Sequence, residues 1–173
     1  FTEREQLGQR HRVRVLRPCR AHVAGPLAIR PAVEQDALLL WREDLDLARE
    51  RGAPILAEII GYGISTDNFH ITQPEPSGIG ARQAMERALE SAHICAGEID
   101  YINAHGTATA FNDAAEGKAI SALFNGVPLS STKSMMGHSL GAAGAIEAIV
   151  CLLALQHQFL PANINFTSPD DDV

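Results

Sequence analysis

The segment from Gly141 to His157 constrains this chain most. It is apolar on every side and interrupted by Glu147. A helix that is hydrophobic all round has no face to offer water, so other elements must pack around it. Gly141, Ala142, Ala143, Gly144 and Ala145 strip side-chain bulk from its first turns, which lets neighbouring backbone approach closely. A buried central helix over 141–157 is the expectation, with Ala142, Ala145, Ile149 and Leu152 against other elements. The strongly apolar part, Ala142 to Leu155, is shorter than the ~20 residues a membrane span requires. The segment is therefore read as core, with no membrane partner.

The elements before it alternate. Ala37 to Trp41 is a short apolar run, and Arg42 to Arg51 reads as a helix with Leu45, Leu47 and Ala48 inside, stopped by Gly52 and Pro54. Ile55 to Ile64 is β-branched and reads as a strand, with Gly61 and Gly63 leaving room for close packing. Ser65 to Gly80 carries turn formers and prolines and reads as a long loop of the kind that often has a function. Ile79 to His93 has helical spacing through Ala81, Ala84, Met85, Ala88, Leu89 and Ala92. A strand at Ile99 to Ala104, a helix at Phe111 to Phe124 opened by Asn112 or Asp113, and a strand at Val127 to Ser130 follow. Phe159 to Phe166 alternates in character. Strands alternating with helices indicate an α/β domain with helices covering a sheet.

Charge divides the chain differently. The net charge is −7, yet residues 1–30 hold seven Arg against Glu3 and Glu5 and sum to +5, which leaves −12 over residues 31–173. The basic head lacks interleaved aromatics, so nucleic acid is not the expected partner. Residues 1–36 show neither a helical nor a strand period and are left as an unassigned basic head; residues 37–173 form the domain. No signal-peptide pattern is evident, and Cys19, Cys95 and Cys151 are too widely spaced for a disulfide framework or a CxxC site. A reducing, cytoplasmic setting is expected.

Two runs carry chemistry. Asn103-Ala104-His105-Gly106-Thr107-Ala108-Thr109 follows a strand, and Lys133-Ser134-Met135-Met136-Gly137-His138-Ser139-Leu140-Gly141 precedes the apolar helix. Ligands in α/β sheets gather at the carboxyl ends of strands, so the two histidines can converge although far apart in sequence. A zinc site built from His105, Asp113, Glu116 and His138 lacks ligand spacing, and Asp113 and Glu116 are equally well explained as partners of a helix start. Gly137-His138-Ser139-Leu140-Gly141 matches the nucleophile elbow G-x-S-x-G in form. The order needed after such a serine is acid then histidine, whereas here His157 precedes Asp170. Taken alone, each histidine is more often a structural group than a catalytic one, while Thr107 and Thr109 are as compatible with turn capping.

Together with Gly141 to Glu147, Pro161-Ala162-Asn163-Ile164-Asn165, Arg51-Gly52-Ala53 and Ile60-Gly61-Tyr62-Gly63, the two runs resemble, in order, the C-terminal half of a β-ketoacyl-acyl-carrier-protein synthase over about Ala37 to Asp170. The resemblance implies the second α/β half of a thiolase-like layered αβαβα fold. It implies an acyltransferase that performs a decarboxylative Claisen condensation of malonyl carrier protein with an acyl-enzyme, in fatty acid or polyketide synthesis. His105 and His138 match the active-site histidines and Lys133 the lysine before the second of them. Asp113 and Glu116 match supporting carboxylates, and Thr107 and Thr109 a hydroxyl pair for the phosphopantetheine arm, which arrives on the acyl carrier protein, so no resident cofactor is implied. Glu147 is read as a structural anchor needing a partner, and Cys151 as a core residue.

None of the three cysteines stands in the family's nucleophile setting. Neither the glycine-rich acidic segment expected before Ala37 nor the Gly-Phe-Gly-Gly loop expected after Val173 is recognisable. The expectation is a domain incomplete at both ends, inactive alone, and partnered by the missing N-terminal half within a homodimer or heterodimer. The alternative is a noncatalytic scaffold or chain-length partner of a complete synthase.

Overall fold

Helix caps and glycine contacts set the boundaries of the elements. The computed structural model describes residues 15–16, 27–34 and 37–168. Asp44 is the first such boundary: its Oδ1 accepts from the N–H groups of Asp46 (2.9 Å) and Leu47 (3.3 Å) and so caps the short helix α1, Leu45–Glu50. The residues before it extend as β3, Ala37–Asp44, which pairs antiparallel with β2, Leu27–Glu34, in the register Leu27↔Asp44 to Glu34↔Ala37. A helix from Arg42 is thus corrected: the capping carboxylate at position 44 delays its start. Leu47, expected inside, is 59% exposed, while Leu45 and Ala48 are buried.

β2 and the two-residue strand β1, Val15–Leu16, fall within the head that shows no period in sequence. The remaining head residues, Cys19 among them, lie outside the described residues. β2 also pairs with β4, Glu58–Ile59, giving an antiparallel sheet in the order β3-β2-β4. β4 is far shorter than the strand expected over Ile55 to Ile64. The cause lies in the two glycines after it, which seat the chain on the helix α2, Ile79–Ala92, instead of in a ladder. A Cβ on Gly61 would lie 2.5 Å from the Ala88 carbonyl oxygen, and one on Gly63 only 1.8 Å from that of Ala84. Because backbone cannot rotate away, Gly63→Ala is expected to destabilise by about 1–3 kcal/mol, read as a fall in Tm.

A second sheet carries the functional runs. β1, β5 (Tyr101–Asn103) and β6 (Leu129–Ser130) are parallel in the order β1-β5-β6, with Ile102 opposite Leu129 and Asn103 opposite Ser130. α2 packs against α3, Ala110–Leu123. Met85, Ala88 and Leu89 of α2 meet Ala119 and Ile120 of α3, with Ile99, Ile102 and Phe124, in one buried cluster. These apolar positions recur at helical spacing, which is why both helices are legible in sequence. α3 opens at Thr109, not at Asn112 or Asp113, and no side chain caps it.

After the single turn α4, Lys133–Met136, and a 3₁₀ turn at Leu140–Ala142, the apolar segment forms α5, Ala143–His157, which lies against β3. Ala143, Ile149, Cys151, Leu152 and Ala154 are buried. Ala142 and Ala145 are exposed, and Leu153 is 40% exposed. The helix therefore buries one face within this chain instead of being enclosed. By length and mean hydropathy (1.6) the 18 residues Leu140–His157 would suffice to cross a membrane. Here Glu147 on that helix pairs with Lys133 and the buried face packs on protein. Phe159, Leu160, Ile164 and Phe166 are exposed and form no strand.

Candidate active site

Both parallel strands β5 and β6 end at the same level, and the two functional runs leave from that edge. The last ladder bond runs from the Ala104 N–H to the Ser130 carbonyl at 2.9 Å. Beneath it the hydroxyls of Tyr101 and Ser130 are 2.6 Å apart, tying the strands together. Tyr101 is fully buried, and that burial pushes its phenol above the usual range, so it serves as a neutral hydrogen-bonding group.

Beyond the ladder the chain turns abruptly. Gly106 has φ +43°, in the left-handed region, and a Cβ there would lie 2.5 Å from the Ser131 Cβ, so glycine is required on both counts. The turn is held by Glu116. Its Oε1 accepts from the His105 N–H at 2.7 Å and its Oε2 from the Gly106 N–H at 2.9 Å. Glu116, on the second turn of α3, thus serves the loop leading into its helix rather than the start of the helix. Asn112 Nδ2 donates to Asp113 Oδ1 at 3.0 Å and to Glu116 Oε2 at 3.3 Å, so Asp113 stands one step behind Glu116.

This turn brings His105 to His138. The ring centroids are 5.4 Å apart and the planes nearly perpendicular, at 85°. His138 Nδ1 accepts from the Leu140 N–H at 3.2 Å, which leaves Nε2 as the ring nitrogen free to donate. His105 is held below the ordinary histidine value, first by the buried part of its ring and then by the Lys133 ammonium, with Glu116 and Glu147 opposing. The lowered value favours the neutral imidazole of His105, and the perpendicular rings place two histidines side by side at the end of the sheet.

The lowered His105 value has a consequence for stability. In the window below the ordinary histidine value the unfolded chain binds a proton that the folded chain does not. The contribution of His105 to stability is therefore complete above that window, is lost as pH falls through it, and levels off below the folded value. A proton NMR titration of the His105 ring is expected to give a midpoint below that of a histidine in an unstructured peptide.

Lys133 and Glu147 form an ion pair, with side chains 7% and 16% exposed. Glu147 thus has the partner its place on an apolar helix demanded. It also lines, with Asp67, Asn103, His105 and Glu116, a cavity of about 230 Å³. Asp67 is a contributor that sequence reasoning left inside the long loop. It orders that loop by accepting from the N–H groups of Phe69 (2.9 Å) and Glu75 (2.8 Å), which hold its carboxyl below the usual range. The Asx-turn signal of an Asp followed by polar residues was its only trace.

The hydroxyls of Thr107 and Thr109 are 2.8 Å apart and both residues are on the accessible side of the turn. Thr109 occupies the cap position of α3 without capping it, so turn capping does not account for its hydroxyl. Among the described residues no group of three His, Cys, Asp or Glu side chains is placed to hold a metal ion. Cys151 is buried on α5, and Cys95 is exposed at the turn after α2.

Residues 56–167 match the β-ketoacyl synthase C-terminal domain. The mitochondrial 3-oxoacyl-[acyl-carrier-protein] synthase of Arabidopsis thaliana is 47% identical over 134 residues, covering 74% of this chain and 29% of that protein. The solved ishigamide ketosynthase/chain length factor superposes with a TM-score of 0.72 at 44% identity, over 77% of this chain and 33% of the other. A chain of a solved complex between a type II polyketide-synthase acyl carrier protein and its hexaketide-bound ketosynthase also matches, with a TM-score of 0.72 at 38% identity, over 77% of this chain and 34% of that chain. The chain spans about a third of the length of these proteins.

Proposed function

Because this chain belongs to the β-ketoacyl synthase family, whose C-terminal domain it carries in a thiolase-like α/β fold, we propose that it supplies the decarboxylation half of a condensing site. The observation that carries the reading is the edge-to-face pair of histidines, brought together by the two segments that follow adjacent parallel strands. In the proposed reaction a cysteine thiolate on the N-terminal portion first receives an acyl group from an acyl carrier protein. A malonyl thioester then enters. Its C–C bond to the carboxylate breaks, CO₂ leaves, and the electron pair moves through the α-carbon onto the thioester oxygen. Two N–H groups directed at that oxygen stabilise the enolate more than the ground-state carbonyl, which is the condition for lowering the barrier. The α-carbon then attacks the acyl thioester, a new C–C bond forms, and the cysteine sulfur departs as thiolate.

The other residues fall into place around this step. Glu116 sets the turn that aims His105. The Lys133 ammonium disfavours a second positive charge on His105 and so keeps its proton available as a hydrogen bond. Thr107 and Thr109 offer hydroxyls that suit the amides of a phosphopantetheine arm, a neutral chain needing neutral partners. On this reading the arm arrives with the carrier protein and no resident cofactor takes part. The partners are the acyl carrier protein, the N-terminal portion and a second synthase subunit, alike or different. The cytoplasm expected from the cysteines is one setting among several, since Arabidopsis relatives are mitochondrial and chloroplastic by name. A thiol-preserving compartment suits each.

Assembly tests the reading. Joined to an N-terminal portion that provides the cysteine, the chain should release CO₂ from malonyl carrier protein and yield a 3-oxoacyl product. An assembled complex with an acylated cysteine but no CO₂ release would overturn it and favour a noncatalytic, chain-length role.

A further inference from the structure

The two histidines stand on separate segments, and the β5-β6 ladder ends before either is reached. What joins the segments past that point is Ser131. Its hydroxyl lies 3.0 Å from the Gly106 carbonyl oxygen and 3.3 Å from that of His105, one donor reaching both. The same oxygen accepts the Lys133 N–H at 3.4 Å, at the start of the turn that leads to His138. Ser131 is held in its turn from outside the sheet. Its N–H goes to Asn163 Oδ1 at 2.8 Å. One residue on, the Ile164 N–H donates to Ser134 Oγ at 3.3 Å. The segment after α5, singled out in sequence only as Pro161 to Asn165, is thus pinned at two points to the Lys133–His138 turn.

We propose that Asn163 and Ser131 are positioning residues that form one clasp: Asn163 fixes Ser131, and Ser131 fixes the distance between the His105 turn and the His138 turn. Glu116 holds the His105 turn to its own helix, but it does not tie that turn to the segment carrying His138, which is what the clasp adds. Gly106 lies so close to Ser131 that the turn can move toward Ser131 hardly at all, so loss of the hydroxyl lets it move away. The role in turnover rests on the condensing reading above; the geometric role does not.

Two measurements keep those claims apart. On the full 173-residue chain, Ser131→Ala and Asn163→Ala should each move the His105 ring titration upward toward that of a free histidine and shift the His138 ring resonances. Asn163→Asp, which retains the accepting oxygen, should restore the His138 ring resonances, while its added carboxylate itself raises the His105 midpoint. In the assembled synthase the two alanine variants should lower kcat for decarboxylation by roughly tenfold to a hundredfold with KM for malonyl carrier protein unchanged, the cost of a small misplacement of catalytic groups, and Asn163→Asp should recover it. Folded alanine variants with unmoved histidine resonances would overturn the clasp. So would a loss confined to KM, or unfolding of every variant including Asn163→Asp, which would make these residues structural. A wild-type assembly without decarboxylation, with the histidine shifts present, would leave the clasp standing and overturn the reaction instead.

Discussion

Replacement of His105 or of His138 by alanine in the assembled synthase is expected to slow malonyl decarboxylation by about 100- to 1,000-fold, the usual loss when one preorganised oxyanion donor is removed. Loading of the acyl group onto the cysteine should be nearly unchanged. The two steps differ in where charge develops. Decarboxylation places a full negative charge on the malonyl thioester oxygen, and on the proposed reading that is the charge the two N–H groups meet. Loading requires no enolate. The double variant should be little worse than either single, because groups that act as a unit give non-additive losses. Radiolabelled acyl transfer and CO₂ release, measured on the same preparations, separate the steps. Equal loss of both in folded single variants would show that the histidines serve the cysteine and not the enolate.

The parts of this site legible in sequence are those written in one short run. His105 and His138 each follow a strand and precede a helix, so their convergence at one sheet edge followed from topology alone. α2 and α3 were equally plain, since Ala84, Met85, Ala88 and Leu89 repeat at helical spacing and are buried. Reading failed where a single contact between distant residues decides the outcome. Glu116, two turns from its nearest sequence signal, looks like a helix-dipole partner. Only folding shows that it takes the amides of His105 and Gly106. Asn163 and Ser131 are 32 positions apart and nothing local links them.

Boundaries failed for a different reason. Asp44 ends a strand by capping a helix, and Gly61 and Gly63 end another by resting on α2; in both cases a polar or missing side chain overrides the β propensity around it. The exposed alanines at 142 and 145 show the remaining limit. Apolar composition says that a helix is to be covered, and not by which chain. For a segment that spans a third of its relatives, the cover on that face is reasonably assigned to the portion proposed above to complete the site.

Lys133 and Glu147 are expected to give the largest stability effects in the chain, and effects of opposite sign on His105. Both side chains are largely withdrawn from water, so removing one partner takes a counterion from a mostly buried charge. Lys133→Met or Glu147→Gln alone should therefore cost about 3–5 kcal/mol. For a chain of this size that is a fall in Tm on the order of 10 °C. Together, Lys133→Met and Glu147→Leu remove both charges and fill the space with apolar atoms, and stability should return to near that of the parent. His105 reports which charge was lost. Lys133 pushes its value down and Glu147 pulls it up, so Lys133→Met should raise the titration midpoint, Glu147→Gln should lower it further, and the double change should fall between. On the proposed reading, in which the neutral His105 imidazole is the donor, the Lys133→Met site should lose decarboxylation as pH falls at a higher pH than the parent does. A double variant as unstable as either single would show that the pair is not coupled, and a His105 midpoint indifferent to all three would remove Lys133 from the proton balance of the site.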